Sequence, residues 1–352
     1  MFTTASELRP PNLDPTPLFE LFRGSYATEL LTAAVAHFQL FELLGNASLT
    51  ASALQQRLQL ERRPFLVLTT ALRAMQLLEV NEGQYQLTQL AREHLLRGGA
   101  HYVGDYIGLA AASPGVNEMV ARLRTNRPAN AAADDGGAAF IYREGLESAM
   151  EREASARHLT LALAGRAHNV APHLARVLDL SKARCVLDVG GGTGLYSIAL
   201  LQQNPHLQAI VFDRPEVLKI AAEFATQYGV IDRLTCTPGD MFADELPASA
   251  DVILLSNILH DWDEPQCAQL VERCASVLPA GGQLLIHDVF LNDDLAGPLP
   301  IALYSAALFT LTEGRAYSAD EYCQWLKAAG LHPAAVQHTL IHCGVIVGSK
   351  LA

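Results

Sequence analysis

The sequence is short of positive charge, has no long apolar run and has no clustered cysteines. Its 25 Lys and Arg are outnumbered by 37 Asp and Glu among 352 residues, and the net charge of −12 argues against nucleic acid or an anionic membrane as a partner. No uninterrupted apolar stretch approaches the ~20 residues that span a membrane. The six cysteines show neither a Cys-x-x-Cys pair nor zinc-ligand spacing, so we expect reduced thiols and no metal site.

The N-terminus also lacks a basic segment followed by an apolar run, which predicts a cytoplasmic protein without a signal peptide. Apolar residues make up 50% of the chain and charged residues 18%, a composition typical of globular proteins. A chain of this length can form two domains with large cores.

One stretch, VLDVGGGTG at residues 186–194, dominates the second half of the chain. A short apolar run before it predicts a buried parallel strand, and the apolar-periodic segment Leu195–Gln203 after it predicts a helix. Gly190 and Gly192 would let the backbone pass close to a ligand at the helix N-terminus. The next predicted strand, Gln208–Asp213, ends on an acid about 20 residues beyond the glycine turn, where ribose hydroxyls are bound. This pattern predicts a nucleotide-type cofactor site.

Three acids help to identify the cofactor. Asp188 lies two residues before the first glycine, where it would face an ammonium group and repel a pyrophosphate. Asp213 closes the second strand, and Asp240 follows the third strand, Leu234–Thr237, in a position to meet an adenine amino group. Ser197 stands where dinucleotide-binding proteins usually have Gly or Ala. The pattern favours a cationic cofactor over a dinucleotide.

Four motifs carry a resemblance to a known family: residues 186–194, FDRPEV at 212–217, GDMF at 239–242 and LHDWD at 259–263. Together they resemble the class I O-methyltransferases of the caffeate/acetylserotonin type, whose bacterial members modify natural products and carotenoid or chlorophyll precursors. The motifs keep the family's order from residue 186 to the end, whereas the N-terminal half matches only in pattern. The resemblance implies S-adenosyl-L-methionine as cofactor and a hydroxylated aromatic or polyketide-like small molecule as substrate.

The resemblance also implies a set of residues that line the cofactor. Ser256 stands where plant members carry a lysine, four residues before the histidine of the last motif. The implied cofactor-binding set is Asp188, Gly190, Gly192, Asp213, Asp240, Met241 and Ser256.

His260 is the expected general base, because a neutral imidazole has a pKa near the working pH and can take a proton from a hydroxyl. Asp288 matches the family's acid that orients this histidine. Asp261 is expected to cap the following turn, since neighbouring side chains diverge. The alternative for His260 is a buried structural histidine, which the LHDWD context disfavours; the other eleven histidines, including His287, are predicted to be structural.

One segment departs from the family pattern. Where the family carries Gly-Lys/Arg-Glu-Arg-Thr, this chain has GRAYS at 314–318, so that Ala316 replaces the second acid beside the histidine. Glu313, three residues earlier, is a candidate substitute for the missing acid. Otherwise three explanations remain open: His260 works with Asp288 alone, the substrate needs less help, or the scaffold performs a non-methylating reaction such as that of a hydroxylase or cyclase.

The predicted fold is α/β, a Rossmann-like methyltransferase sheet with a C-terminal antiparallel hairpin, preceded by a mostly α winged-helix dimerisation domain. Helices at 17–44, 51–58 (capped by Thr50) and 63–78, followed by a hairpin at 80–87, give the winged-helix pattern. A ligand-sensing DNA-binding regulator is the alternative. However, the third helix has Arg73 as its one interior cation and is too apolar for a DNA groove, so we expect a homodimer.

The expected organisation is an N-terminal arm at 1–16, the dimerisation domain at 17–100, a helical linker and substrate-pocket region at 101–180, and the cofactor domain at 181–352. Residues 125–137 are predicted to be a surface loop or a mobile flap, with a helical pattern from Phe140 to Leu178. Strands at 334–340 and 343–348 are expected to form the closing hairpin.

Overall fold

The computed structural model describes residues 6–127 and 153–351. The chain divides into two compact units. The sheet unit comprises Met1–Phe19, Phe140–Phe290 and Ala319–Ala352, and the helical unit comprises Glu20–Ala139 and Leu291–Ser318. Leu291–Ser318 therefore belongs to the helical unit, although it lies inside the range 181–352 that was expected to form the cofactor domain.

The helices, in chain order, are α1 Thr16–Arg23, α2 Ser25–Thr32, α3 Leu40–Leu44, α4 Ala51–Leu58, α5 Arg62–Ala74, α6 Gln89–His94, α7 Gly104–Gly108, α8 Pro114–Thr125, α9 Glu153–Val177, α10 Leu195–Gln203, α11 Pro215–Gln227, α12 Glu264–Val277, α13 Leu299–Leu311 and α14 Ala319–Ala328. The strands are β1 Leu49–Thr50, β2 Leu78–Asn81, β3 Gln84–Leu87, β4 Cys185–Val189, β5 Gln208–Asp213, β6 Leu234–Pro238, β7 Val252–Ser256, β8 Gln283–Leu291, β9 Tyr317–Ser318, β10 His332–Pro333, β11 Gln337–His338 and β12 Cys343–Ser349.

The helical unit differs from the expected pattern at two helix boundaries. The single helix expected at 17–44 is interrupted, with a π-helical turn at Ala33–His37 and Gln39 at a φ of 48°. The helix predicted to reach Leu78 ends at Ala74, because Gln76 adopts a left-handed φ of 60° and the Leu77 N–H turns back to the Leu72 carbonyl. This C-terminal motif satisfies carbonyls at the helix end and stops the helix before β2 begins.

Turn and cap chemistry accounts for the other elements of this unit. Strands β2 and β3 pair antiparallel around Glu82 and Gly83, which have φ values of 48° and 76°, as a tight hairpin turn requires. The Thr50 hydroxyl accepts the Ala53 N–H and caps α4, as predicted. Strand β1 completes a three-stranded sheet in the order β1-β3-β2.

Helix α5 is buried by its own chain. Arg63 is 6% exposed, and the helix residues from Pro64 to Leu72 are buried with it. Its guanidinium donates to the carbonyls of Thr312 and Gly314 and to Asn126 Oδ1. Its guanidinium carbon also lies 4.8 Å from the centre of the Phe309 ring. The apolar character of this helix is therefore explained within the helical unit and needs no partner subunit.

The sheet unit is built on a mixed sheet in the order β6-β5-β4-β7-β8-β12-β10. Strands β6, β5, β4, β7 and β8 are parallel to one another, and β12 is antiparallel to β8. The expected single strand at 334–340 is wrong in detail, since two short strands, β10 and β11, pair with β12 instead. Strand order reverses at β4, and such switch points place ligands beyond the carboxyl ends of the strands.

Some expectations fall outside the described residues. These are residues 1–5 of the N-terminal arm, residues 128–137 of the predicted loop or flap, and residues 140–152 of the predicted helical stretch. Within 6–127 and 153–351, no helix is both long and apolar enough to cross a membrane.

Candidate active site

The predicted functional residues of the sheet unit gather at the carboxyl edge of its parallel strands. Asp188 lies in β4, Asp213 ends β5, Asp240 follows β6 and His260 follows β7. Parallel strands bring their carboxyl ends to one edge, so the sheet topology assembles residues that are far apart in the sequence.

The glycine turn after β4 needs glycine for two measurable reasons. Gly190 and Gly192 have φ values of 69° and 59°, which L-residues rarely adopt. A Cβ added to Gly190 would lie 2.6 Å from Ile258 Cδ1 and 3.9 Å from Met241 Sδ. The turn therefore packs directly against the predicted cofactor residue Met241.

Asp188 lies directly beneath this turn. It is fully buried, and a Cβ on Gly191 would come within 2.7 Å of its carboxyl carbon. Its Oδ2 accepts a hydrogen bond from Ser197 Oγ at 2.7 Å, whereas its Oδ1 has no hydrogen-bond partner among the described residues. Burial, with a contribution from Asp213, raises the pKa of Asp188 to about 7. The contact also explains why Ser197 replaces the Gly or Ala of dinucleotide sites.

Asp213 binds the turn from the side of β5. Its Oδ2 accepts the Gly192 N–H at 2.8 Å and its Oδ1 accepts the Arg214 N–H at 2.7 Å. Burial raises the pKa of Asp213, against the lowering effect of these two N–H groups. Each carboxylate oxygen retains a lone pair for a further donor.

Asp240 has a partner that sequence reasoning missed. Its Oδ2 lies 3.1 Å from Arg214 Nη2 in an ion pair, and its Oδ1 accepts the Phe242 N–H at 2.8 Å. The adjacency of Arg214 to Asp213 was the available signal, but nothing in the sequence pairs it with a residue 26 positions away.

His260 and Asp288 form a buried pair, as the motifs predict. His260 Nδ1 lies 2.5 Å from Asp288 Oδ1, and the two residues are 3% and 1% exposed. Because a carboxylate can only accept, Nδ1 carries the proton and Nε2 is the nitrogen that can take a second one. Asp288 Oδ1 also accepts the Val289 N–H at 2.8 Å, which fixes its orientation.

The expectation that Asp261 caps the next turn is wrong. Leu259–Asp261 forms a short 3₁₀ turn that brings Asp261 Oδ1 to 3.7 Å from His260 Nε2. Helix α12 is capped by Asp263, whose Oδ1 accepts the Glu264 N–H at 2.9 Å. Two carboxylates of the sheet unit therefore lie beside His260, while Ala316, where the family has its second acid, is fully buried and donates its N–H to Ser305 Oγ.

The charges in this cluster oppose the effect of burial. Burial lowers the pKa of His260, but Asp288 and Asp261 outweigh it and the pKa is raised. Burial favours neutral Asp288, but the charge and hydrogen bond of His260 hold its pKa below the usual value. Burial raises the pKa of Asp261 to about 6, with the nearby Asp288 adding to the rise.

Ser256 is engaged by a second histidine. Its Oγ lies 2.8 Å from His287 Nδ1, and His287 Nε2 lies 3.2 Å from Thr339 Oγ1. Burial lowers the pKa of His287 to about 3, so this ring is neutral and structural. Arg166 and Asn257 were not identified from the sequence. They are joined by a hydrogen bond of 2.5 Å beside the turn that carries His260.

Comparison with known proteins identifies the family. The family model of the O-methyltransferase domain matches residues 134–332. The chain is 37% identical to 3-hydroxy-5-methyl-1-naphthoate 3-O-methyltransferase of Streptomyces sahachiroi over 91% of this chain and 90% of that one. It is 30% identical to L-tyrosine C(3)-methyltransferase of Streptomyces lavendulae over 92% and 89%. The chain belongs to the O-methyltransferase family, and it is an enzyme.

A solved structure agrees with this assignment. The O-methyltransferase family 2 protein of Planctomyces limnophilus, crystallised with apigenin, matches with a TM-score of 0.89 at 49% identity over 99% of this chain and 100% of that one. The α/β methyltransferase fold with a mixed sheet is therefore confirmed.

Proposed function

We propose that this enzyme transfers a methyl group from S-adenosyl-L-methionine to a hydroxyl of an aromatic or polyketide-like small molecule, with His260 as general base. The cofactor follows from membership of the family. The observation that carries the proposed mechanism is the 2.5 Å contact of His260 Nδ1 with Asp288, at the same sheet edge as the glycine turn. The named activity of the Streptomyces sahachiroi relative on a hydroxynaphthoate and the apigenin bound to the Planctomyces limnophilus protein support the substrate class.

The residues around the glycine turn fit a cationic cofactor. Asp188 has a buried oxygen without a hydrogen-bond partner among the described residues, and Asp213 is a half-buried carboxylate that accepts two backbone N–H groups and feels the charge of Arg214. A buried carboxylate without a cation is unfavourable, so a positively charged ligand would stabilise Asp188. Gly190, Gly192, Asp240, Met241 and Ser256 complete the set that we propose to line the cofactor.

The bound cofactor supplies a methyl group activated by its positively charged sulfur. His260 Nε2 accepts the proton of the acceptor hydroxyl, which makes the oxygen a better nucleophile. Asp288 holds the Nδ1 proton, keeps Nε2 directed at the acceptor and stabilises the imidazolium that forms. Asp261, 3.7 Å from Nε2, adds negative charge that favours the same imidazolium.

The experiment compares the wild type with His260→Ala, using labelled S-adenosylmethionine and a panel of hydroxynaphthoates, flavones and simple phenols. Methyl transfer should fall by roughly 10²–10⁴-fold, the usual contribution of a general base, while cofactor affinity by calorimetry stays unchanged. His94→Ala, a partly exposed histidine of the helical unit, serves as the matched control and should keep full activity.

Retention of the native reaction by His260→Ala would contradict the assignment of the base. Binding of the cofactor by the wild type without methylation of any hydroxylated acceptor would instead support a non-methylating reaction on this scaffold.

We further propose that the helical unit contains a winged-helix dimerisation domain within 17–100. A pocket region at 101–180 and a cofactor domain at 181–352 follow it, except that Leu291–Ser318 belongs to the helical unit. Helices α4 and α5 with the β1-β3-β2 sheet support the winged-helix assignment. Four large apolar side chains of this unit, Leu21, Phe22, Tyr106 and Leu109, are 78–83% exposed, and apolar side chains exposed to this degree support a surface that binds another protein chain. Sedimentation at micromolar concentration should show a dimer, and a monomer would contradict the proposal.

A further inference from the structure

We propose that Arg166 is a positioning residue for His260: it fixes the turn that carries the imidazole through Asn257, and it balances the negative charge of Asp288 and Asp261. This inference rests on the proposed role of His260 as the general base. It assigns a function to an arginine that belongs to none of the sequence motifs.

Arg166 connects three separate elements of the sheet unit. It lies on α9, where its Nη1 donates to Asn257 Oδ1 at 2.5 Å and its Nη2 lies 2.9 Å from Cys343 Sγ at the start of β12. A guanidinium is planar and presents its donors in a fixed fork, so two such contacts restrict both its position and its orientation. A lysine has no such fork and cannot reproduce both contacts with one geometry.

Asn257 links Arg166 to the turn that carries His260. It follows β7, has a left-handed φ of 57° and lies three residues before His260. Its backbone N–H donates to the His287 carbonyl at 2.8 Å, and its Nδ2 donates to the Tyr196 hydroxyl at 3.1 Å. Asn is one of the few non-glycine residues that adopt this conformation routinely, because its short side chain can form local hydrogen bonds. Here those bonds join Asn257 to neighbouring elements. Arg166 supplies the hydrogen bond to the remaining side-chain oxygen.

Arg166 also affects the protonation of His260 through its charge. The titratable groups that act on His260 are Asp288 and His287 on β8, Asp261 on its own turn and Arg166 on α9. Both carboxylates raise the pKa of His260, whereas Arg166 lowers it, and Arg166 also lowers the pKa of Asp261. With Arg166 removed, two carboxylates would favour the imidazolium without this opposition, and less of the neutral base would be present near pH 7.

The test compares Arg166→Gln, which removes the charge, with Arg166→Lys, which retains it. Arg157→Gln is the matched control, because Arg157 lies on the same helix and pairs at the surface with Glu223. For Arg166→Gln, kcat/KM near pH 7 should fall on the order of tenfold, well short of the ~10²–10⁴-fold expected for loss of the base. The acid limb of the pH profile should move to higher pH, and activity should recover in alkaline buffer. Arg166→Lys should keep the limb in place with a lower kcat, and Arg157→Gln should match the wild type.

A readout independent of catalysis separates this inference from the proposed function. The imidazole of His260 can be titrated by NMR in the cofactor-free protein, with its signal assigned by its absence in His260→Asn. The pKa should be higher in Arg166→Gln than in the wild type. An unchanged NMR pKa together with an unchanged acid limb would overturn the inference, even if His260→Ala abolishes methyl transfer. A raised NMR pKa in a protein whose reaction does not need His260 would support the electrostatic part and overturn the proposed function alone.

Asn257→Gly isolates the positioning part. Glycine tolerates the left-handed conformation but cannot bond to Arg166 or Tyr196. We expect kcat to fall while the NMR pKa of His260 changes less than in Arg166→Gln, and wild-type kcat in this variant would overturn the positioning role.

Discussion

Asp188 and Asp288 are chemically identical, equally buried and carried by strands that flank β7, yet they behave in opposite ways. They are 0% and 1% exposed. Burial raises the pKa of Asp188 to about 7, whereas the neighbouring His260 overcomes the same burial and lowers the pKa of Asp288. The two pKa values differ because the hydrogen-bond partners differ. Asp188 accepts a hydrogen bond from the neutral hydroxyl of Ser197, whereas Asp288 accepts one from the imidazole of His260, which can carry a positive charge.

This contrast separates two kinds of site on one sheet edge. The catalytic side contains the guanidinium of Arg166 and an imidazole, His260, that becomes a cation when it takes a proton, so its carboxylates have partners within the protein before any ligand binds. Among the described contacts of the glycine turn, Asp188 has no cation, so its charge is neutralised either by a proton or by a positively charged ligand. We therefore propose that Asp188 recognises positive charge, whereas Asp288 orients the proposed base.

Breaking the catalytic pair should have the largest effect. Asp288→Asn should reduce methyl transfer by ~10²-fold, because an amide no longer stabilises the imidazolium and can favour the wrong tautomer. Loss of the carboxylate should also lower the pKa of His260 and move the acid limb of the kcat/KM profile to lower pH. The measurement is kcat/KM over a range of pH, with the double variant as the control.

If Asp288 acts only through His260, the double variant His260→Ala with Asp288→Asn should be no slower than His260→Ala alone. Losses that add in full would show that Asp288 has a separate role in the reaction.

Removing a carboxylate from the cofactor side should have a smaller effect, visible in binding. Asp213→Ala should weaken S-adenosylmethionine by roughly 1.5–3 kcal/mol, the usual value of hydrogen bonds to a charged acceptor. Calorimetry measures this directly, with Asp232→Ala in the nearby 3₁₀ turn Ile231–Arg233 as a control that should bind normally. Unchanged affinity in Asp213→Ala would remove the ribose assignment.

The smallest effect should be a pH dependence that belongs to Asp188. Its pKa of about 7 means that the carboxylate forms as the pH rises through that value, so affinity for the cationic cofactor should rise by up to about tenfold between about pH 6 and pH 7. In Asp188→Asn, cofactor affinity should no longer rise with pH through this carboxylate. Any pH dependence that remains in the variant measures the titration of the ligand itself. A wild-type slope equal to that of the variant would contradict a role in cation recognition.

The same shift predicts the stability of the cofactor-free protein. Folding raises the pKa of Asp188 above its unfolded value, so the folded state binds the proton more tightly. Its contribution to stability is present below the unfolded pKa and is lost as the pH rises through about 7. Thermal melting should therefore show a slope with pH in the wild type that Asp188→Asn lacks.

Local patterns in the sequence were sufficient for the framework of the sheet unit. The strand, glycine turn and helix at 185–203 follow from a short apolar run, residues that permit positive φ and a 3.6-residue apolar period, all of which act over a few neighbouring positions. His260 and Asp288 were found through the family motifs, and the structure shows them in contact. The end of α5 at Ala74 was not predicted, because glutamine is not a residue type that indicates the left-handed conformation found at Gln76.

Partners of the charged groups were decided only by the tertiary structure. Three contacts join residues on different elements, and their spacing in the sequence did not predict them. They are Ser197 with Asp188, Arg214 with Asp240, and Arg166 with Asn257, 91 positions away. The turn at Leu259–Asp261 places Asp261 beside His260, and Asp263 caps the next helix in its place. Electrostatic energies depend on distance through space and on burial, so the sequence determined which ionisable groups are present, and the fold determined which of them are paired.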